Sequence, residues 1–355
     1  MTLLISLVIT FLLIGIGHKF IKKNANLCYI IAGVISIILI IFEYTKISSN
    51  FPLWLNRSLL SIFTRSAFST ALFIVVMYTG ALKNGSKLIK ILMPIRAELS
   101  IIASILTLGH NIIYGKTYFV KLFTNPGSIK GNILLAAIIS LISILIMLPL
   151  MITSFPKVRK KIQPKKWKKF QRTAYLFYGL VYVHVMLLMM PSAFNGNVMY
   201  ILNVILYSII FLSYAVIRIR KAFTKKKLSK VYLNSVIIVG VVIFLAICGS
   251  ILYFNNKEIK PNENTITNTL KDGTFTGNAE GFMGNIEVEV LVKHGKITEI
   301  NIINSSDDKA FLNKASEGII EKIINEQNTN VDVVSGATYS SNGIINAIKD
   351  ALKGY

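Results

Sequence analysis

Two histidines lie inside apolar segments of the sequence, where ionisable side chains are rare and commonly functional. His110 falls within residues 95–114 and His184 within residues 171–188. Two neutral imidazoles that face each other can supply both axial ligands of an electron-transfer haem. Histidines in such segments also form simple hydrogen bonds to neighbouring helices. The residue types alone leave both interpretations open.

The spacing of each histidine from an arginine favours the haem interpretation. His110 follows Arg96 by 14 residues, and His184 follows Arg172 by 12 residues. At 1.5 Å per helical residue these separations are about 21 and 18 Å, so the two imidazoles are expected at similar depths in the outer half of a bilayer. We therefore predict one b-type haem with His110 and His184 as its iron ligands.

A second candidate is the run DVVSGATYSS at residues 332–341. Ser335, Gly336 and Ala337 are small and leave space around the hydroxyl of Thr338. The structural alternative is a helix N-terminus, where Ser and Thr side chains cap free amide groups. Four common residues do not decide between these interpretations.

The surrounding sequence carries a more specific resemblance. The segments DGTFTGNAEGFMGNIEVEV, VKHGKITEINI and DVVSGATYSSNGIINAI cover nearly all of residues 272–352. They closely resemble the flavin-mononucleotide-binding domain of subunits of the sodium-translocating NADH:quinone reductase and of related ferredoxin-oxidising membrane complexes. The resemblance implies covalent FMN, joined through a phosphoester to Thr338 by a separate flavin transferase. It also implies that Ser335, Gly336, Ala337, Gly281 and Gly284 lie near the cofactor.

The patterns around this motif predict a small α+β domain of about 80 residues. Hydrophobic residues alternate along 286–292, and the chain turns at His294 and Gly295 before a further strand. We expect helices over residues 309–327 and 342–352, with a short strand over 331–334 between them. His294 is assigned to the turn and receives no catalytic role.

The chain as a whole is too apolar for a soluble protein. Hydrophobic residues make up 53% of the sequence, and the mean hydropathy is +0.60. About 20 consecutive apolar residues suffice to cross a bilayer. Eight segments meet this description approximately: residues 1–18, 27–43, 66–82, 97–114, 131–153, 173–190, 197–217 and 231–254. The fold class predicted is a polytopic α-helical membrane bundle of about eight spans plus a small extracytoplasmic α+β domain that binds FMN.

The charge distribution predicts the orientation. Residues 1–254 contain 29 Lys and Arg but only two acids, whereas residues 255–355 contain ten Lys and Arg and fourteen acids. One set of alternate loops holds 23 basic residues and the opposite set holds six. Basic loops face the cytoplasm, so both termini and the FMN domain are predicted outside a cell (plasma) membrane. The short basic clusters between apolar runs argue against a nucleic-acid partner.

A second resemblance concerns residues 60–220. An arginine at a helix end followed by a histidine near the other end, in 96–114, and the pattern QR…Y…H in 171–184 resemble the ferric-reductase-like transmembrane domain. The resemblance implies a haem-binding membrane domain. The domains expected are a transmembrane electron-transfer domain over 1–254, a linker over 255–271 and an FMN-binding domain over 272–355.

Together these features predict transmembrane electron transfer through the haem to the external FMN and on to an extracytoplasmic acceptor. No nucleotide-binding motif is present, so the donor is expected to be membrane quinol or a separate cytoplasmic reductase. The chain is then a component of an oxidoreductase, and no residue is assigned a catalytic role. Two alternatives stay open: a flavoprotein subunit of a redox-driven ion-translocating complex, and an FMN-binding membrane redox sensor without haem.

Overall fold

The computed structural model describes residues 2–45, 47, 51, 55–129, 131–194, 196–258, 270–282, 284–307, 309–334 and 337–353. The chain divides into two compact units, a helical unit with residues 1–126 and 130–255 and a second unit with residues 127–129 and 256–355. Most of the predicted linker (259–269) lies outside the described residues, as do Ser335 and Gly336 of the predicted flavin site.

The helical unit consists of apolar helices and short connecting helices. Its first half contains α1 (Thr2–Lys23), α2 (Ala25–Tyr44), a π-helical segment (Leu55–Leu60), α3 (Ser61–Thr64), α4 (Ala67–Ala81), α5 (Lys87–Leu92), α6 (Arg96–His110), a second π-helical segment (Asn111–Gly115) and α7 (Lys116–Thr124). Its second half contains α8 (Gly131–Ile152), α9 (Pro156–Arg159), α10 (Pro164–Phe170), α11 (Ala174–Phe194), α12 (Val198–Lys225) and α13 (Lys230–Glu258).

Seven helical stretches among the described residues are long and apolar enough to cross a membrane. One of the eight predicted spans, residues 66–82, forms the shorter helix α4 of 15 residues. Thirteen of its residues are buried, which makes α4 the most enclosed helix of the unit. Helices α1, α6 and α12 pack around it. All eight predicted segments are thus helical: seven belong to long apolar stretches, and the eighth is this short buried helix.

The outer surface of the helical unit is apolar. Large hydrophobic side chains such as Ile16, Ile238 and Leu252 are exposed, with 88%, 62% and 63% of their surfaces accessible. A soluble surface does not expose apolar side chains on this scale. By length and composition, this part of the chain is a multi-pass membrane protein.

The second unit is a three-stranded antiparallel sheet covered by two helices. Its strands are β1 (Gly273–Glu280), β2 (Asn285–Lys293) and β3 (Lys296–Ser305), in the order β1-β2-β3. Helix α14 (Lys309–Glu326) packs on β3, and α15 (Thr338–Ala351) packs on β1 and β2. The alternating residues Ile286, Val288, Val290 and Val292 are almost completely buried beneath the helices.

Two details differ from the prediction for this unit. Residues 331–334 form no strand, and the backbone of Val334 bonds instead to the start of α15. The last helix begins at Thr338 rather than at residue 342, so it includes the residue predicted to carry FMN. The turn at His294 and Gly295 is confirmed, with positive φ angles of 53° and 70°.

Candidate functional site

The loop before α15 is tied to the first turn of that helix. The Ala337 amide donates to the Val334 carbonyl at 3.0 Å, and the Val334 amide donates to Ser341 Oγ at 3.1 Å. The Ser341 amide donates to the Ala337 carbonyl at 2.8 Å, which is the first bond of the helix at this point. These three residues thus lie on either side of Ser335 and Gly336 in the sequence.

Thr338 is the first residue of α15. Ala337 occupies the N-cap position and supplies no side-chain cap. The first amides of an uncapped helix are natural binding groups for an anion such as a phosphate. Ala337 is buried, as are Ser340 and Ser341, which have no accessible surface.

The glycines predicted near the cofactor lie at the end of β1, next to the start of α15. The Gly281 amide donates to the Gly284 carbonyl at 2.8 Å and closes a tight turn. A Cβ at Gly343 of α15 would lie 2.7 Å from Gly281 Cα. A Cβ at Gly281 would meet Asp307 Oδ2 at 2.6 Å, and one at Gly284 would meet Ser306 Cβ at 2.6 Å. Close packing of backbone segments therefore explains these glycines, and contact with a flavin stays a prediction.

Three aromatic rings lie beside this turn and were missed in the sequence. The Phe282 ring centroid is 5.1 Å from that of Phe311 and 5.7 Å from that of Tyr339. Tyr339 directly follows Thr338, so the aromatic group borders the start of α15. Phe282 lies within the turn Gly281–Gly284, and Tyr339 directly follows the SGAT motif. Their position next to predicted site residues is the sequence signal that could have identified them.

The two histidines of the helical unit make equivalent hydrogen bonds. His110 Nδ1 is 2.6 Å from the Thr64 carbonyl, and His184 Nδ1 is 3.0 Å from the Ala136 carbonyl. A carbonyl only accepts, so each Nδ1 carries a proton and, in a neutral ring, each Nε2 carries the lone pair. Neither Nε2 is hydrogen-bonded to any of the described residues. These hydrogen bonds are the ones expected if the two histidines have only a structural role. They also leave Nε2 of each ring free to act as a metal ligand.

Helix α8 links the two helices that carry the histidines. Its residues Asn132, Ala136 and Ser140 are four apart and lie on one face. Asn132 Nδ2 donates to the Leu187 carbonyl of α11 at 2.9 Å, Ala136 accepts from His184, and Ser140 Oγ donates to Asn111 Oδ1 at 3.2 Å. Asn132 and Ser140, two polar residues eight positions apart in an apolar segment, are the sequence signal for this face.

The chain is π-helical immediately after His110, over Asn111–Gly115. Such segments are rare and often occur at functional sites. A narrow cleft on the α2 side of His110 is lined by Ser36, Leu39, Phe63, Leu106, Gly109, His110 and Ile113 and has no space for a water-sized molecule. This cleft is therefore too small to be a haem pocket.

Comparisons with known proteins separate the two units. A family model described as an FMN-binding domain matches residues 281–353. The C-terminal unit contains an FMN-binding domain. Over 80 residues the chain is 32% identical to the NADH:acrylate oxidoreductase of Vibrio harveyi, a match covering 22% of this chain and 8% of that protein. Over 78 residues it is 33% identical to the urocanate reductase of Eggerthella lenta, covering 22% of this chain and 13% of that protein.

The whole chain has a full-length relative as well. It is 36% identical over 361 residues to an uncharacterized protein of Treponema pallidum (strain Nichols), and the match covers 99% of both chains. The chain belongs to the same family as that protein. The FMN-binding domain and its helical unit are thus a combination shared with a second protein.

The FMN-binding domain brings most of its predicted site residues together. Ala337 and Thr338 start α15, and the turn Gly281–Gly284 lies against the same helix. Ser335 and Gly336 lie outside the described residues. The resemblance of the helical unit to the ferric-reductase-like membrane domain stays a prediction, as does haem binding by His110 and His184.

Proposed function

We propose that the protein is a membrane-bound electron-transfer flavoprotein that delivers electrons to an extracytoplasmic acceptor. The observation that carries this proposal is the FMN-binding domain over residues 281–353, on a chain with seven candidate membrane spans. Partial similarity to an oxidoreductase and a reductase supports a redox role. The protein is then a component of an oxidoreductase.

In this proposal a flavin transferase attaches FMN to Thr338 through a phosphoester. The uncapped start of α15 favours the negative charge of the phosphate. Ser340 and Ser341 are buried, and the Ser341 hydroxyl already accepts a hydrogen bond from Val334, so neither hydroxyl is accessible to a modifying enzyme. When bound, FMN supplies the redox chemistry, and the protein supplies its position and surroundings.

We assign one b-type haem to His110 and His184. Both residues donate Nδ1–H to a backbone carbonyl, as metal-bound histidines usually do, and this fixes Nε2 as the atom available to iron. A haem held by both would transfer single electrons and would have no open axial position for a substrate. The donor chemistry of the pair fits this role: the Thr64 carbonyl holds the His110 ring, and the Ala136 carbonyl of α8 holds the His184 ring.

The orientation follows from the distribution of basic residues. With 23 Lys and Arg in one set of loops and six in the other, the richer set is assigned to the cytoplasm of a plasma membrane. In this proposal the short helix α4 is the eighth crossing, so both termini and the FMN-binding domain are extracytoplasmic. Membrane quinol or a separate cytoplasmic reductase serves as the electron donor. A covalent bond would keep the flavin attached where a dissociable cofactor is lost to the surroundings.

The test is a count of cofactors on the full-length protein. The protein is co-expressed with a flavin transferase and purified in detergent, and covalent flavin and haem b are measured by absorbance and by the pyridine haemochrome assay. We expect one haem per flavin, and we expect His110→Ala and His184→Ala to lose the haem but to keep the flavin.

His18→Ala is the matched control for these variants. His18 lies in an apolar helix too, but its Nδ1 is bonded within its own helix, 3.1 Å from the Ile14 carbonyl. We expect this variant to keep both cofactors. Covalent flavin without any haem in the parent protein would exclude the histidine assignment and favour a flavoprotein without haem.

A further inference from the structure

Two basic side chains converge at the C-terminal end of α4. Arg96 Nε donates to the Val76 carbonyl at 3.0 Å, and its Nη2 atom lies 3.8 Å from the position of a Cβ built on Gly80. Lys221 Nζ donates to the carbonyls of Leu82 and Gly80 at 2.6 and 3.2 Å. Arg96 and Lys221, which are 125 positions apart in the sequence, thus both bond to carbonyls near the C-terminal end of α4.

A third cation, Arg218, joins this group. Its Nε donates to Tyr175 Oη at 2.9 Å, and its guanidinium lies 5.1 Å from the centroid of the same ring. Arg218 and Lys221 are three residues apart on α12, so they lie on the same side of that helix. The ends of α4 and α12 and the starts of α6 and α11 therefore carry three neighbouring positive charges, named here the basic cluster.

The helical unit has too few acids to neutralise this cluster. Residues 1–254 contain only Glu43 and Glu98. Glu98 already pairs with Lys22, whose Nζ is 2.8 Å from Glu98 Oε1. Glu43 lies near the C-terminal end of α2. It is 18 residues after Ala25, which is about 27 Å from the start of that helix.

The partial charges of α4 offset only part of the positive charge. A helix C-terminus contributes about −0.5 elementary charge, against three cations in the cluster. Cations that lie close together repel one another unless an anion neutralises them. Arg96 is half-buried and uses only Nε for its hydrogen bond, so neither of its terminal amino groups is hydrogen-bonded within the described part of the chain.

We propose that Arg96, Arg218 and Lys221 form a binding site for a phosphate-bearing anion at this end of the helical unit. The planar guanidinium of Arg96 presents its two terminal amino groups to phosphate oxygens, an arrangement that suits phosphate better than a lysine does. Arg218 and Lys221 add positive charge beside it. A lipid phosphodiester and a free phosphate share this chemistry.

The experiment measures both sources on the detergent-purified full-length protein. Native mass spectrometry compares retention of phosphatidylglycerol with that of phosphatidylcholine, and thermal unfolding compares inorganic phosphate with chloride at equal ionic strength. The variants are Arg96→Gln and Arg218→Gln. Lys87→Gln is the control because Lys87 is an exposed basic residue at the start of α5.

We expect each cluster variant to weaken binding about tenfold or more, since a charge-assisted hydrogen bond is lost, while Lys87→Gln leaves binding unchanged. Selective loss of phosphatidylglycerol identifies a lipid headgroup as the ligand, and selective loss of stabilisation by phosphate identifies a free phosphate. Should Arg96→Gln fail to fold, the more accessible Arg218 provides the same test. If neither variant differs from Lys87→Gln in either measurement, the cluster serves only to cap α4 and the proposal is wrong.

Discussion

The FMN-binding domain and the helical unit build their candidate sites in different ways. In the domain, Thr338 and the aromatic Tyr339 are neighbours in the sequence, and the glycine turn packs directly against their helix. In the helical unit, His110 and His184 are 74 residues apart, and their side chains bond to carbonyls of two different helices, Thr64 of α3 and Ala136 of α8. The first site depends on a contiguous motif and the second on helix packing. Substitutions should therefore act locally in the domain and over long sequence distances in the helical unit.

The largest effect is expected at Thr338. Thr338→Ala removes the proposed acceptor hydroxyl, so covalent flavin should disappear completely, whereas Thr338→Ser should retain it. In-gel flavin fluorescence after denaturation measures the result. Ser340→Ala is the control, because the Ser340 hydroxyl is buried and has no hydrogen-bond partner among the described residues. Fluorescence that persists in Thr338→Ala would show that another residue carries the flavin.

A second prediction concerns Gly277 of β1, which faces α15. A Cβ at this position would overlap the Ala351 amide and the Ala347 carbonyl and would lie 2.7 Å from Ala351 Cα. We expect Gly277→Ala to lower the free energy of unfolding of the FMN-binding domain by about 1–3 kcal/mol, the usual cost of overpacking. Thermal unfolding followed by the fluorescence of bound flavin in the full-length protein measures this.

Gly249 of α13 provides the contrasting control for Gly277. A Cβ on Gly249 would meet no heavy atom within 4 Å. Gly249→Ala should leave the unfolding of the FMN-binding domain unchanged. Equal effects of the two substitutions would contradict the close approach of β1 and α15.

The third prediction tests a long-range ion pair of the helical unit. Lys22→Gln leaves the buried carboxylate of Glu98 without its cation, although the two residues are 76 positions apart. Because Lys22 itself is largely exposed, we expect a loss of about 1 kcal/mol of stability. Thermal unfolding of the detergent-purified protein measures this loss. Lys23→Gln, at an exposed position next in sequence, should have no effect, and an equal loss there would mean that only net charge matters.

The smallest effect is expected at Asp350 of α15. Its Oδ2 accepts a hydrogen bond from the Asn278 amide of β1 at 3.2 Å, and this bond lowers the pKa of the Asp350 carboxyl below its ordinary value. The lowered pKa stabilises the folded domain above the ordinary carboxyl pKa of about 4, and this contribution is lost as the pH falls through the folded-state value.

The variant Asp350→Asn isolates this contribution. The FMN-binding domain should unfold at a slightly lower temperature in the variant at pH 7, and the difference from the parent should shrink towards pH 3. Thermal unfolding across this range measures the gap. A gap that widens in acid would contradict the direction of the pKa shift.

The sequence alone determined most of the FMN-binding domain. Strands and helices follow from the alternation of Ile286 to Val292 and from helical periodicity, because each pattern involves residues close in the chain. The start of α15 was placed four residues too late, since Ser and Thr in SGATYSS are equally compatible with a loop and with a helix N-terminus. The apolar character of the helical unit is also evident from the sequence, because hydrophobic segments of membrane-spanning length can be recognised without tertiary context.

Only the tertiary structure decided how the distant residues of the helical unit meet. Hydropathy does not distinguish the buried helix α4 from a lipid-facing span, because both are uniformly apolar. Spacing suggested similar depths for His110 and His184 but did not identify their carbonyl partners, Thr64 and Ala136. Spacing also did not predict that Arg96 and Lys221 lie close together, because this depends on which helix faces pack together. Side-chain direction and helix packing are non-local properties, and they determined the chemistry of this half of the molecule.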